Sequence, residues 1–286
     1  MNPVKIITDS TADLSKELLD KYDIASLPLY VNFGEESYKD GVDIDTARLY
    51  ELVKEKNELP KTSAISPGDF FKEFDKWIKL GYDIVYIGIG SKISGTIRNA
   101  HLVAEEFPEG RIQVVDSLNL SSGIALLVLK GKDLRDQGLS AKQIKDKLDE
   151  TVPLVRSQFA IQVLDYLHKG GRASGTAALV GKVLRIRPII KVVNGELIVY
   201  RKPMGTMKKA VDIMLNDFIN EKDNLDLDYV MITHSHAYKQ SDYMEEFVKE
   251  HVQPKNLIIS NAGCVISSHC GAGTIGILYI VKQWNK

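Results

Sequence analysis

Three times the chain returns to one local pattern: an apolar strand, a loop of glycine and hydroxyl residues, then a helix. The fullest copy begins with residues 82–87, an apolar run rich in β-branched and aromatic side chains. Gly88-Ile89-Gly90-Ser91-Lys92-Ile93-Ser94-Gly95-Thr96 follows, and residues 97–106 then carry apolar side chains at helical spacing. Residues 4–8 read as a strand, 9–14 as a run of cap and turn residues, and 15–21 as a helix. Residues 111–115 read as a strand, 116–123 as a polar loop, and two helices are expected over 123–136 and Ala141–Thr151. Alternation of this kind restricts the first half to layered α/β architecture with a largely parallel sheet.

Between the first two copies, residues 24–33 read as one strand, with Pro28 marking an edge or a bulge. Residues 34–42 read as a hairpin-like excursion, Thr46–Lys56 as a helix and 59–67 as a hydroxyl-rich loop. Ser66-Pro67 is a helix start, a cap followed by proline at the first helical position, leading a helix over 68–80. Thr62 and Ser63 have no such local task, which makes them candidates for ligand contact.

Beyond Thr151 the pattern changes. A strand at 159–163 leads to a short helix closed by Gly170-Gly171. Strands at 188–193 and 197–200 flank Asn194-Gly195, a hairpin signal. A helix at 206–220, a strand at 227–233, a helix at 241–251 and strands at 256–260 and Thr274–Val281 complete the chain. The expected fold class is α/β in two closely packed domains. Residues 1–156 form a three-layer α/β/α domain with a mainly parallel sheet, and residues 157–286 form an α/β domain with a mixed sheet.

A sequence of 286 residues, 44% hydrophobic, has material for two such cores. Its net charge of −1 gives no bulk attraction to nucleic acid or an anionic membrane. Cys264 and Cys270 match neither a zinc pattern nor a disulfide framework and suit a reducing cytoplasm. The chain starts directly on a strand, without a signal-peptide core, and no apolar run approaches a membrane span of about 20 residues. A cytoplasmic, soluble protein is expected.

In an open α/β sheet the loops leaving the strand C-termini form the ligand crevice. A helix starting at Ser94 or Gly95 directs backbone N–H groups and its dipole there, which favours an anion. Asp9 and Ser10 are candidates to face the same crevice. The glycine spacing is not Gly-x-Gly-x-x-Gly, and the P-loop pattern fails because Thr96-Ile97 stands where Lys and a hydroxyl belong. A singly charged carboxylate suits the loop better than a nucleoside triphosphate; the plainer alternative is that Ser94 only caps the helix.

His234-Ser235-His236 and His269 lack the partners of a zinc site, so no metal is expected. Gly-x-Ser-x-Gly is absent around Ser94. Arg172 suits a carboxylate or phosphate, or simply a helix C-terminus. Arg201-Lys202 with Lys208-Lys209 forms a small basic cluster, a solvated face or a docking patch.

Six segments, in order along nearly the whole chain, resemble the DegV family of bacterial fatty-acid-binding proteins. They are Thr8-Asp9-Ser10-Thr11-Ala12-Asp13-Leu14, Thr62-Ser63 with Ser66-Pro67, Ser91-Lys92-Ile93-Ser94-Gly95-Thr96, Val115-Asp116-Ser117, Leu167-His168-Lys169-Gly170-Gly171-Arg172, and residues 268–276 around His269. The resemblance implies a long-chain fatty acid buried between two domains. It implies a carboxylate held by Thr62, Ser94 and His269, with backbone N–H help near Gly95. It implies no catalysis and no cofactor, but a separate ATP-dependent kinase that converts the bound carboxylate to an acyl phosphate for phospholipid synthesis. Arg172 and Arg201 are the candidate phosphate or kinase contacts. Departures are Ala64-Ile65 within the hydroxyl loop, Ala272 for a proline, and Met204 where the family has an arginine before Gly205. The competing class is a phosphotransferase or hydrolase with His269 or Ser94 as nucleophile.

Overall fold

The computed structural model describes residues 2–171, 173–174 and 186–283. In chain order the strands are β1 (Val4–Asp9), β2 (Ile24–Leu27), β3 (Tyr30–Phe33), β4 (Glu36–Lys39), β5 (Lys61–Ser63), β6 (Asp83–Gly88) and β7 (Ile112–Asp116). They continue with β8 (Val155–Ala160), β9 (Ala173–Ser174), β10 (Ile189–Val193), β11 (Glu196–Arg201), β12 (Leu225–Ser235), β13 (Asn256–Asn261) and β14 (Thr274–Val281). The helices are α1 (Lys16–Lys21), α2 (Thr46–Lys56), α3 (Pro67–Lys79), α4 (Thr96–Ala104), α5 (Ser122–Asp136), α6 (Ala141–Thr151), α7 (Leu164–Gly170), α8 (Met207–Asn220), α9 (Tyr238–His251) and α10 (Cys264–Cys270).

Three sheets organise these elements. The first is all parallel, in the order β2-β1-β6-β7. The second is mixed, in the order β13-β12-β14-β8-β10-β11-β9. The third is a small antiparallel sheet, β4-β3-β5. The fold is therefore α/β with one parallel and one mixed sheet.

Apolar patterning explains the layering. Helices α3 and α4 pack on one face of the parallel sheet through Phe70, Phe74, Ile97 and Val103. Helices α5 and α6 cover the other face and also meet Met231, Leu278 and Ile280 of the mixed sheet. Eight consecutive residues of α5, Ser122 through Leu129, are buried, because a helix between two sheets has no solvent face. The far face of the mixed sheet is closed by α8 and α9.

Four local readings change. Residues 24–33 are two strands in different sheets: β2 pairs with β1, and β3 with β4 and β5. Pro28 has no N–H for a ladder, and the break falls there. Residues 61–63, expected in a loop, are the edge strand β5. The strand expected at 159–163 lies at Val155–Ala160, between β14 and β10. Helix α10 has no counterpart in the sequence reading; Val, Ile, Ser and Cys are middling helix formers, and seven residues are few.

Candidate functional site

A cavity of about 380 Å³ lies between the parallel-sheet half and the mixed-sheet half. Its apolar wall includes Leu120, Phe159, Leu167, Leu197, Ile266 and Leu278, drawn from both halves. Thr62, Ser94, Gly95 and His269 also line it.

The loop bearing Ser94 is braced from beneath. Buried Asp9 accepts hydrogen bonds from the Thr11 hydroxyl and N–H, the Tyr86 hydroxyl (2.8 Å) and the Ile89 N–H (3.0 Å). Two glycines permit this packing. A Cβ on Gly88 would fall 2.2 Å from the Tyr86 hydroxyl, and one on Gly90 2.9 Å from the Asn119 nitrogen. Asp9 therefore supports the loop as scaffold, and Ser10 accepts the Leu29 N–H at 3.1 Å. Burial raises the Asp9 pKa, and its hydrogen bonds pull it back.

Ser94 stands one residue before the N-cap of α4 and is not itself the cap. Its Oγ accepts the Thr96 N–H (3.3 Å) and bonds the Thr96 hydroxyl (2.9 Å), while Gly95 is the N-cap residue of α4. Ser94 and Gly95 both line the cavity, so the N-terminus of α4 opens onto it. First-turn N–H groups of a helix lack intrahelical acceptors, which suits them to an anion.

Thr62 and His269 meet across 207 residues of chain: the Thr62 hydroxyl lies 2.8 Å from His269 Nε2. Thr62 is presented by β5, and His269 by the last turn of α10. The neighbouring Ser63 hydroxyl instead accepts from Asn32 at 3.1 Å. Gly170 abuts the histidine, since a Cβ there would lie 2.4 Å from His269 Nδ1. The His269 ring thus bonds Thr62, and the Ser94 hydroxyl bonds Thr96.

Of the other candidates, His234 and Cys270 also line the cavity. Arg201 lies outside the cavity lining, near the Tyr200 hydroxyl (3.0 Å) and the Asp217 carboxylate (3.6 Å). Arg172 lies outside the described residues. Met204 is exposed. His234 packs edge-on against Tyr238, with burial lowering its pKa, while His236 Nε2 lies 3.3 Å from the Thr46 hydroxyl. Among the described residues, no group of three or more His, Cys, Asp or Glu side chains is placed to hold a metal. Cys264 and Cys270 are buried free thiols, and burial pushes Cys270 up to about 12. No described helix is long and apolar enough to cross a membrane.

Sequence reading missed Asp13 and Asp40, the two acids that hold the start of the helix carrying His269. Both are buried and bond the N-terminus of α10. An isolated acid after a hairpin carries no signal of a target more than 200 residues away.

A family model described as uncharacterised proteins of the DegV family matches residues 3–282. The chain belongs to the DegV family. A DegV domain-containing protein of Clostridium acetobutylicum is 36% identical over 283 residues, covering 99% of this chain and 100% of the relative. A fatty acid-binding protein of Thermotoga maritima is 33% identical over 280 residues, 96% of each chain. Among solved structures, a DegV family protein of Thermus thermophilus described for fatty acid binding superposes with a TM-score of 0.91 at 28% identity, covering 98% of this chain and 100% of that one. A stearic acid-binding protein of Eubacterium ventriosum gives 0.85 at 30% identity, covering 98% of each. Fatty acid binding is thus described for several of these similar proteins, and the fold of this chain is theirs.

Proposed function

We propose that this DegV protein binds a long-chain fatty acid in the 380 Å³ cavity, its two domains, residues 1–156 and 157–286, enclosing the ligand. The carboxylate is held by the hydroxyls of Thr62 and Ser94, the Gly95 N–H and His269. The acyl chain lies along the wall of Leu120, Phe159 and Leu197. The observation that carries this reading is the Thr62–His269 pair at 2.8 Å, set in the lining of a largely apolar cavity. Each buried methylene is worth about 0.8 kcal/mol, so an apolar wall with a few polar donors is sufficient for tight binding.

In this reading the chain performs no catalysis and needs no cofactor. It works in the cytoplasm as a carrier that presents the carboxylate to a separate ATP-dependent kinase for acyl-phosphate formation. Arg172 and the exposed Arg201 are the proposed phosphate or kinase contacts. Mass spectrometry of protein purified from cells tests the carrier role. A non-covalent fatty acid at about one per chain is expected. A phosphoryl or acyl group attached to His269 or Ser94 would replace the carrier by an enzyme.

A further inference from the structure

Helix α10 carries His269 in its last turn but is held by its other end. Three successive N–H groups at its start donate to carboxyl oxygens from the opposite half of the chain. Gly263 N–H donates to Asp13 Oδ1 at 2.8 Å. Cys264 N–H donates to Asp40 Oδ1 at 2.7 Å, and Val265 N–H to Asp40 Oδ2 at 3.2 Å. The helix has no side-chain cap of its own, so these acids take that place. Both are buried, and Asp13 is further held by the Ser121 hydroxyl. A Cβ on Gly263 would lie 3.1–3.2 Å from oxygens of both acids, so the two carboxyl groups crowd around this glycine.

The far end of the clamp leads back to the binding site. Asp40 directly follows β4, and its N–H donates to Leu29 O at 2.9 Å. Strands β4, β3 and β5 form one small sheet, and β5 carries Thr62. One sheet thus grips α10 twice: at the N-terminus through Asp40, and at the last turn through the Thr62–His269 bond. Seven residues of middling helix propensity would not hold a helical geometry alone.

We propose that Asp40, assisted by Asp13, is the positioning residue that aims His269: the two carboxyl groups fix the first turn of α10 and thereby set the His269 ring against Thr62. The inference rests on the fatty-acid reading for its binding readout. Asp40→Asn is the sharp test, because an amide can accept from one N–H but sets its own NH₂ against the other. The expected result is a loss of about tenfold in stearic acid affinity with methyl stearate affinity unchanged. The nitrogen resonances of the His269 ring should shift as its bond to Thr62 is lost.

Cys264→Pro is a second variant should Asp40→Asn not fold. It deletes one of the two N–H groups that Asp40 accepts, at a first helical position where proline is favoured. The same split between acid and ester is expected. Parallel loss of acid and ester affinity, or unmoved acid affinity and His269 resonances in a folded variant, would overturn the proposal. Wild-type protein that binds neither ligand would instead defeat the fatty-acid reading, and the His269 resonances of the variants would still decide the positioning role.

Discussion

Two helix N-termini near the cavity have opposite fates. That of α4 opens onto the cavity, with Ser94 and Gly95 in the lining. That of α10 is closed by Asp13 and Asp40. Both offer N–H groups and the positive end of a dipole. A helix start is left open to a ligand only where the protein has not supplied its own carboxyl acceptors. At α10 the built-in acids turn the same chemistry into an anchor, leaving the helix's other end to present His269.

The largest expected effect comes from disarming the open end. Ser94→Ala with Thr62→Ala removes the two hydroxyl donors proposed for the carboxylate, each worth about 1.5–3 kcal/mol, so free fatty acid affinity should fall by on the order of a hundredfold or more. Isothermal titration on the folded double variant checks it, and unchanged affinity would remove both residues from the site.

A smaller effect separates the two ends further. His269→Ala should lose about tenfold in affinity for the free acid, and His269→Gln less, because glutamine keeps a donor. Methyl esters of the same acids should scarcely distinguish the three proteins. Equal losses for acid and ester would make His269 a wall residue instead of a carboxylate ligand.

The smallest effect concerns the closed end and is read in stability. Burial is the main cause that raises the Asp13 carboxyl well above its ordinary range, with Asp40 and Asp9 adding repulsion. The folded state therefore holds this proton more tightly than the unfolded chain. Its contribution is most favourable below about pH 4, the unfolded pKa, and is lost as pH rises toward the folded value. Asp13→Asn abolishes that loss. The stability of the variant relative to wild type should rise by on the order of 1 kcal/mol between about pH 5 and about pH 8. Urea midpoints at both pH values check this, and a constant difference would count against a strained buried acid.

The sequence by itself determined the elements whose causes are local. The three strand–loop–helix units appear where the apolar period and the loop residues placed them. Ser66 caps α3 with Pro67 in its first turn, and Asn194-Gly195 turns the β10–β11 hairpin. Ser94 and Gly95 were legible as cavity candidates because strand, glycines and helix are contiguous, and Thr62 because it has no local capping task, whereas the role proposed for His269 was reached only through family resemblance. Tertiary structure decided what depends on distant partners. It split residues 24–33 between two sheets, since Pro28 interrupts the ladder and β3 finds its partners at residues 36–39 and 61–63. It made a helix of residues 264–270, whose poor intrinsic propensity is offset by carboxyl groups from Asp13 and Asp40. It brought Thr62 to His269 across 207 residues. Periodicity and capping act over a few residues, whereas the closing of the cavity is a contact between halves of the chain that no local pattern encodes.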